Sequence, residues 1–426
     1  MLKLVVSSGP LLTSTAVLVL AHGMLMTTVS LVIKQQGYST SSMAFVLAAY
    51  NVGLALGAWF QGGLVKKYGH IRVYAGMAAL LVNVTLLMFV VRHPLGWFLL
   101  RVAVGFAIAG LFVVIESWLS ELATFGGRGV LLSLYTLISQ GSLAAGQMVL
   151  TGYSMGSLEL FAFMAAMFAF SLVPIVFTNN LQPTMSEDVR MGLRSFWKST
   201  PLGGYGCFVS GIVQGSLLSV LPLFAANVGR SATEISYFMT AMLLGGLIAQ
   251  WPIGLLSDRL GREWSLLMIC SLFSFVAVAG VVLPLSSWYV LLAVGGLMGA
   301  LGLAIYPVAL ALTHDVVEQE KITSATGTFL IVFGVGAVLG PFVGSYLLRA
   351  FGPVGLLSWL GGATGSLAIW SIIVTANRPS LPVEEQEPFM PVALPVTLAA
   401  NELDPRLDSQ MMLDFDDDEP HGPFHS

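Results

Sequence analysis

Twelve long apolar segments dominate this chain and restrict what it can fold into. A helix that crosses the hydrocarbon core of a membrane needs about 20 apolar residues. The segments of that length are residues 11–33, 43–64, 73–91, 95–119, 130–152, 157–178, 203–226, 233–256, 264–285, 288–312, 323–348 and 353–375. Charged residues make up only 9% of the chain, whereas a soluble domain carries about 25%. We therefore predict an all-α membrane protein with twelve transmembrane helices.

The apolar segments fall into two groups of six. The stretch 179–200 is the longest polar interruption before the C-terminal region, and six segments lie on each side of it. Four parts follow from this division. They are an N-terminal six-helix bundle over residues 1–178, a cytoplasmic linker over 179–202, a C-terminal six-helix bundle over 203–376 and an acidic tail over 377–426.

Two stretches of the chain resemble each other at an offset of 192 residues. Each ends an apolar segment and continues into a short basic loop. The matching pairs are Trp59 and Trp251, Gly62 and Gly254, Leu64 and Leu256, and Gly69 and Gly261. Of nine glycines in the first 80 residues, five fall on another glycine at this offset, whereas about one match is expected from 46 glycines in 426 residues. The pattern favours a duplicated unit of roughly 190 residues.

Lysine and arginine residues are distributed unequally between the two sides of the predicted spans. If the N-terminus is cytoplasmic, thirteen of them face the cytoplasm, and four, Lys34, Arg92, Arg230 and Arg349, face the other side. Cytoplasmic loops of membrane proteins carry an excess of these residues. We therefore expect both termini and both repeated hairpins on the cytoplasmic side of the membrane.

The tail differs in composition from the rest of the chain. It holds 11 of the 22 acidic residues, while residues 1–376 hold 16 basic and 11 acidic residues, a net charge of 16 − 11 = +5. A segment with so little apolar periodicity cannot bury enough surface to offset its loss of chain entropy. We expect a disordered cytoplasmic tail that either acts as an inert solubilising segment or binds a partner.

The second hairpin contains a motif found in a known family of membrane proteins. The motif consists of Gly254, Leu256, Asp258, Arg259, Gly261 and Arg262. At this spacing it resembles the loop signature of the major facilitator superfamily, in the copy between the eighth and ninth spans. Arg101 and Gly105 are similar to the motif in that superfamily's fourth span. Glu121 with Arg128 resembles its charged pair between the fourth and fifth spans.

Four shorter stretches narrow this resemblance to one bacterial branch. They are Ser210–Ser216, Gln250–Gly254, Tyr306–Ala309 and Leu339–Pro341. They resemble the YcaD-type branch, and the likeness covers about residues 10–376. It implies the major facilitator fold, in which two pseudo-symmetric six-helix bundles surround a central cavity and rock between inward-open and outward-open states. It also implies a multi-pass protein of the bacterial inner membrane.

The resemblance further implies a conformational gate in the loops between spans. Its residues would be Gly62, Lys66, Gly69, Glu121, Arg128, Gly254, Asp258, Arg259, Gly261 and Arg262. Lys66 departs from the pattern, because the family carries an aspartate there that caps a neighbouring helix and locks the outward-facing state. Lysine is a donor only and cannot replace it. Either Asp258 carries this latch in the second half, or the lock is weaker in the first half.

Polar side chains inside the spans are the candidates for a substrate or proton pathway, because such groups are costly at membrane depth. His22 lies at the middle of the first span, and its repeat partner Gln214 lies near the middle of the seventh. Symmetry-related polar groups at this depth suit a site between two bundles. The alternative is that each side chain only bonds to a neighbouring helix.

The fourth span contributes two ionisable candidates. Glu116 lies five residues before Glu121, about 7.5 Å along a helix, and its burial would suit reversible protonation. The alternative for Glu116 is a structural pair with Arg128 or another loop cation. Arg101 lies 15 residues before Glu116 and, at 100° per residue, 60° away from it around the helix. Arg101 either faces the cavity, to draw an anion or sense a proton, or extends to the outer interface.

Five further polar residues are weaker candidates. A single polar group in a span is more often a helix–helix hydrogen bond than a ligand contact. The residues are Asn51, Tyr135, Gln140, Gln147 and Tyr306.

These patterns favour a secondary active transporter that moves a small organic solute by alternating access, with proton coupling as a hypothesis. The chain has no phosphate-binding loop and no hydrolase or zinc-protease motif, so we expect neither an enzyme nor a cofactor or metal. The expected partners are the solute and the lipid bilayer, without nucleic acid, for a monomeric protein. The alternative is a non-transporting membrane sensor or receptor on the same fold.

Overall fold

The structure is a computed structural model of the full chain. It describes residues 2–123, 128–177, 191–318 and 321–377, together with Gln386 and Phe389. Every regular element in these residues is helical. Eleven helices are long and apolar enough to cross a membrane, and a bent helix pair brings the number to twelve. The prediction of an all-α protein with twelve spans is confirmed.

The first bundle contains seven helices that form six spans. They are α1 (Leu2–Gln35), α2 (Thr40–Tyr68), α3 (His70–Val90), α4 (Pro94–Ala123), α5 (Arg128–Leu150), and the successive pieces α6 (Leu158–Phe170) and α7 (Leu172–Val176). A short helix, α8 (Leu193–Ser199), follows within the predicted linker. Met191, just before α8, is bonded to the second bundle, because its amide donates to the Ser324 carbonyl at 3.0 Å.

The second bundle repeats this order. Its helices are α9 (Pro201–Ser219), α10 (Leu221–Asn227), α11 (Ala232–Leu260), α12 (Arg262–Val282), α13 (Trp288–Gly302), α14 (Ile305–Val316), α15 (Ile322–Phe351) and α16 (Pro353–Asn377). The seventh span is bent by 51° between α9 and α10. Pro222 lies in the first turn of α10, where its missing N–H costs no helical hydrogen bond.

The duplication is visible in the backbone. Gly69 and Gly261, which end α2 and α11, have φ values of 84° and 86°, a conformation that glycine adopts readily and other residues rarely do. Ser39 and Ser231 begin the same two helices, and each side-chain oxygen accepts a bond from the third residue of its helix. We name the side of the molecule with Gly69 and Gly261 the hairpin face and the other side the opposite face.

Within each bundle, glycines bring helix backbones into direct contact. In the first bundle, a Cβ added at Gly53 or Gly105 would overlap a backbone carbonyl oxygen across the α2–α4 contact. In the second bundle, Gly245 and Gly299 have the same property across the α11–α13 contact. The α2–α4 and α11–α13 pairs are therefore packed backbone against backbone.

The contact between the bundles is built differently. We name it the seam; α2 packs against α15 along it, and α5 against α11. Gly334 of α15 faces the seam, and a Cβ added there would meet only the Ala55 methyl group, at 3.9 Å. Near the opposite face, side chains join the bundles: the Phe45 and Phe342 rings lie 5.2 Å apart.

Candidate functional site

A cavity of about 670 Å³ lies along the seam between α2 and α15. Its walls are the parts of these helices nearer the hairpin face, from Asn51 to Phe60 and from Gly327 to Leu339. The lining is almost entirely apolar, and Asn51 supplies its one amide side chain. The Asn51 Nδ2 atom is buried and has no hydrogen-bond partner among the described residues. Asn51 thus lies where a solute between the bundles would meet it.

Toward the opposite face, His22, Tyr50 and Arg101 form one cluster between α1, α2 and α4. The Tyr50 hydroxyl lies 3.2 Å from His22 Nε2, and the Arg101 guanidinium lies 4.8 Å from the centre of the Tyr50 ring. Arg101 is fully buried, and its other polar contact is the Met26 sulfur at 3.4 and 3.5 Å. The sequence alternative in which Arg101 extends to the membrane interface is therefore wrong for this structure.

Glu116 belongs to a second cluster, further along α4 toward the hairpin face. The Tyr135 hydroxyl on α5 donates to Glu116 Oε1 at 2.7 Å. Tyr306 on α14 lies close enough to interact electrostatically with Glu116, and its ring packs edge-on against Phe329 and Phe333. Glu116 and Tyr135 are thus joined within the first bundle, and Tyr306 of the second bundle lies within electrostatic range of Glu116. Arg101 is not among them, although it lies on the same helix as Glu116.

Gln214 and Gln140 are buried but join neither cluster by a hydrogen bond. Gln214 is 4% exposed, and its side chain makes no hydrogen bond with a described residue. Gln140 Oε1 also has no partner within the described part of the chain. Gln147, by contrast, accepts from Thr27 and donates to the Gly23 carbonyl, which ties α5 to α1. Gln147 has the purely structural role that is usual for a polar group in a span.

The second hairpin is held by a buried ionic network. The Arg262 guanidinium donates to Asp258 Oδ1 at 2.7 Å, to Ser257 Oγ at 3.0 Å and to Asp315 Oδ2 at 3.2 Å. The side chains of Arg262 and Asp315 are 0% and 2% exposed. The network joins α11, α12 and α14 at the hairpin face.

The first hairpin is not ionic at the equivalent positions. Lys66, which corresponds to Asp258, is exposed at the end of α2. His70, which corresponds to Arg262, stacks on Trp118 with ring centres 5.6 Å apart. The two hairpins therefore differ at His70 and Arg262 as well as at Lys66 and Asp258. Aromatic stacking holds the first hairpin, and ion pairs hold the second.

The latch role of Asp258 stays a prediction. In this structure its hydrogen-bond partners among the described residues are Arg262 and the Phe389 amide. The pairing of Glu121 with Arg128 cannot be assigned, since the Arg128 side chain lies outside the described residues. Arg259 is exposed on the hairpin face.

Sequence reasoning missed three residues that complete these sites. Tyr50 precedes a candidate, Asn51, and joins His22 to Arg101. Asp315 lies at the end of a span, and an acid at that depth was a usable signal. Phe389 belongs to the tail, in which the residues after Asn377 other than Gln386 and Phe389 lie outside the described part. The Phe389 amide donates to Asp258 Oδ1 at 2.9 Å. No sequence pattern pointed to that contact.

Comparison with known proteins supports the same architecture. The family model of the Major Facilitator Superfamily matches residues 11–228 and 203–403. A protein of Escherichia coli strain UMN026 named "Uncharacterized MFS-type transporter YcaD" is 29% identical over 351 residues, which cover 80% of this chain and 88% of that protein. A protein of the same name from Salmonella arizonae is 28% identical over 343 residues, with the same coverage.

Solved structures share the fold at low sequence identity. The nucleoside transporter NupG has a TM-score of 0.72 at 13% identity, covering 86% of this chain and 98% of that one. A bacterial homolog to the human lysosomal transporter Spinster, in an inward-facing and unoccupied conformation, has a TM-score of 0.66 at 12% identity, covering 95% and 98%. With the matched family model and the two six-helix bundles, these likenesses show that the chain belongs to the Major Facilitator Superfamily, a family of multi-pass membrane transporters.

Proposed function

We propose that this protein is a secondary active transporter that moves a small organic solute across the bacterial inner membrane by alternating access. The observation that carries the proposal is the contrast between contacts within the bundles and contacts at the seam. Gly53, Gly105, Gly245 and Gly299 pack backbone against backbone inside the bundles, whereas Gly334 meets only the Ala55 methyl group at the seam. Two rigid bodies joined by side chains can rock without disturbing their own cores.

The seam also holds polar contacts that can be exchanged during rocking. Near the opposite face, Ser30 Oγ donates to the Ser219 carbonyl at 2.7 Å and Lys34 Nζ donates to Asn227 Oδ1 at 2.8 Å. A single hydrogen bond contributes about 0.5–1.5 kcal/mol to stability. Such contacts are weak enough for a solute's binding energy to shift the balance between two states.

The hairpin face is proposed to be cytoplasmic. Lys66, Lys67 and Arg72 are exposed around the first hairpin, and Arg259 is exposed at the second. An excess of basic residues marks the cytoplasmic side of a membrane protein. Both termini then lie in the cytoplasm.

Proton coupling is the finer part of the proposal, and Glu116 is its proposed carrier. The carboxyl group is fully buried, accepts a bond from Tyr135 in its own bundle and lies near Tyr306 of the other bundle. A charge gained or lost there acts on both sides of the seam in a medium of low dielectric constant. Protonation would thereby change how firmly the bundles hold together.

Alternating access predicts that one position in the seam is reachable from both sides of the membrane. We would label Asn51→Cys with a membrane-impermeant maleimide in right-side-out and in inverted vesicles. Both preparations should react, because rocking exposes the cavity to each side in turn. The protein without the substitution measures the background from Cys207 and Cys270, which are both buried. Labelling from one side only would contradict alternating access and favour a non-transporting sensor.

A further inference from the structure

The Arg101 guanidinium is a buried cation without an ionic partner in the described part of the chain. The side chain is 0% exposed, and none of the ion pairs of the described residues includes it. Its Nε atom has no hydrogen-bond partner, and its Nη atoms contact only the Met26 sulfur. A thioether is a weak acceptor, so these contacts do not offset the cost of removing a charge from water.

A second group of the cluster, the His22 imidazole, also has unused hydrogen-bonding capacity. His22 is 3% exposed, and its Nδ1 atom has no partner among the described residues. Tyr50 stacks on the guanidinium and contacts the other imidazole nitrogen. Three helices, α1, α2 and α4, thus hold a cation and an imidazole beside each other with unused hydrogen-bonding capacity.

A buried charge is stable only when it is paired and hydrogen-bonded. The guanidinium offers several N–H donors in a plane, a geometry that matches the two oxygens of a carboxylate. Asn51, the residue after Tyr50, lines the apolar cavity at the seam. A ligand that extends from this cavity toward Arg101 would therefore carry an apolar body and an anionic end.

We propose that His22, Tyr50 and Arg101 bind the anionic end of an apolar organic carboxylate, and that this class of compound is the transported solute. That the carboxylate is the transported solute rests on the proposed transport function. That the cluster binds a carboxylate does not depend on that function. The carboxylate would supply the counter-charge that Arg101 lacks, and the apolar walls between α2 and α15 would accommodate the remainder of the molecule.

Binding can be tested with benzoate on the purified protein in lipid nanodiscs, with benzamide as the neutral isostere. At about 100 times its dissociation constant, a ligand of the native state raises the unfolding temperature by a readily measured amount. Benzoate should raise it by several degrees and benzamide should not. Arg101→Met should lose the benzoate response, whereas Arg92→Met, at a loop cation, should keep it.

The ligand-free variants provide a second and independent measurement. Because the Arg101 charge is unpaired without ligand, Arg101→Met should unfold at the same temperature as the wild type or at a higher one. A lower unfolding temperature would show that the protein supplies a structural counter-charge, and would overturn the proposal. Absence of a benzoate response in the wild type would do the same. If benzoate binds but Asn51→Cys is labelled from one side only, the site stands and the transport function fails.

A separate observation concerns the tail. Phe389 is docked on the second hairpin: its amide donates to Asp258 Oδ1, its ring lies 5.9 Å from the Arg262 guanidinium carbon, and a Cβ added at Gly254 would overlap the ring. Gln386 lines a small cleft with Arg262 and Asp315. Phe389 therefore contacts the ionic network directly, and Gln386 lies beside it.

The chemistry of this surface explains why an aromatic tail residue fits it. Gly254 leaves room for a ring against the α11 backbone, and the Arg262 guanidinium presents a cation to a ring face. Asp258 is 34% exposed in its side chain, which leaves Oδ1 accessible to an incoming N–H group. The first hairpin has Lys66 in place of this acceptor, so it cannot bind the same segment in the same way.

We infer that Phe389 stabilises the second hairpin through its amide bond to Asp258 and the contact of its ring with Arg262. Hydrogen–deuterium exchange on the full chain tests this. Phe389→Ala should speed exchange of residues 254–262 several-fold, because the ring no longer covers Gly254 and the Arg262 guanidinium. Phe424→Ala, a change of the same type elsewhere in the tail, should leave that exchange unchanged.

Equal exchange of residues 254–262 in the wild type and in Phe389→Ala would show that Phe389 does not hold the hairpin, and would overturn the inference.

Discussion

Replacing Arg262 with methionine is expected to lower the free energy of unfolding by about 3–5 kcal/mol, the cost of breaking a buried ion pair from one side. The change removes the guanidinium that bonds to Asp258, Ser257 and Asp315 at once. Asp315 is 2% exposed in its side chain, so water cannot replace the lost partner. The measurement is unfolding of the purified protein in mixed micelles with increasing denaturing detergent.

Two matched variants make this prediction specific. Arg259→Met removes an exposed cation from the same hairpin and should change stability by about 0.5 kcal/mol or less. The double variant Arg262→Met with Asp315→Leu should recover much of the loss, because an apolar pair can replace a buried ion pair at little cost. If Arg262→Met were as stable as Arg259→Met, the ionic network would have no structural role.

The spans and the duplication could be predicted from the sequence because both depend on local patterns. Apolar length gave the twelve spans, and the spacing of glycines gave the repeat. Gly69 and Gly261, which match in the repeat, have nearly the same positive φ. Backbone conformation of this kind is set by the residue at that position and its neighbours.

The contacts that build the sites depend on residues far apart in the sequence, and no local pattern encodes them. Arg262 pairs with Asp315, which lies 53 positions away, and Tyr50 joins His22 to Arg101 through three helices. Helical periodicity placed Arg101 and Glu116 within 60° of each other, yet they belong to different clusters. The angle between two residues around a helix axis does not determine which residues of the neighbouring helices lie beside each of them along the axis.

The asymmetry of the hairpins was visible in part from the sequence. Lys66 in place of the family's aspartate predicted a different first gate, and the structure shows aromatic stacking of His70 on Trp118 there. Phe389 was not predictable, because a short aromatic contact in a polar tail has no periodic signature. Phe389 and Asp258 lie 131 positions apart in the sequence, and amino-acid composition does not predict a single contact over that sequence distance.

Replacing Glu116 with glutamine is expected to abolish the response of the bundles to pH. Glutamine keeps an oxygen that can accept from the Tyr135 hydroxyl but cannot gain or lose a charge. Titratable groups of the described residues near this site include Tyr135 of α5, Tyr306 of α14 and Cys207 of α9, which interacts electrostatically with Tyr306. In a medium of low dielectric constant, a change of one charge alters the interaction energy enough to shift the ratio of two conformational states about tenfold or more.

The measurement is the distance between spin labels on Lys67→Cys and Arg259→Cys, two exposed positions at the hairpin face of different bundles. In the wild type, the distance distribution should change across a pH titration, because protonation of Glu116 alters the seam between Tyr135 and Tyr306. In Glu116→Gln it should stay constant. Glu159→Gln removes an exposed acid at the start of α6 and should keep the wild-type response. A Glu116→Gln protein with an unchanged pH response would exclude this carboxyl as the proton carrier, since glutamine cannot bind or release a proton at this position.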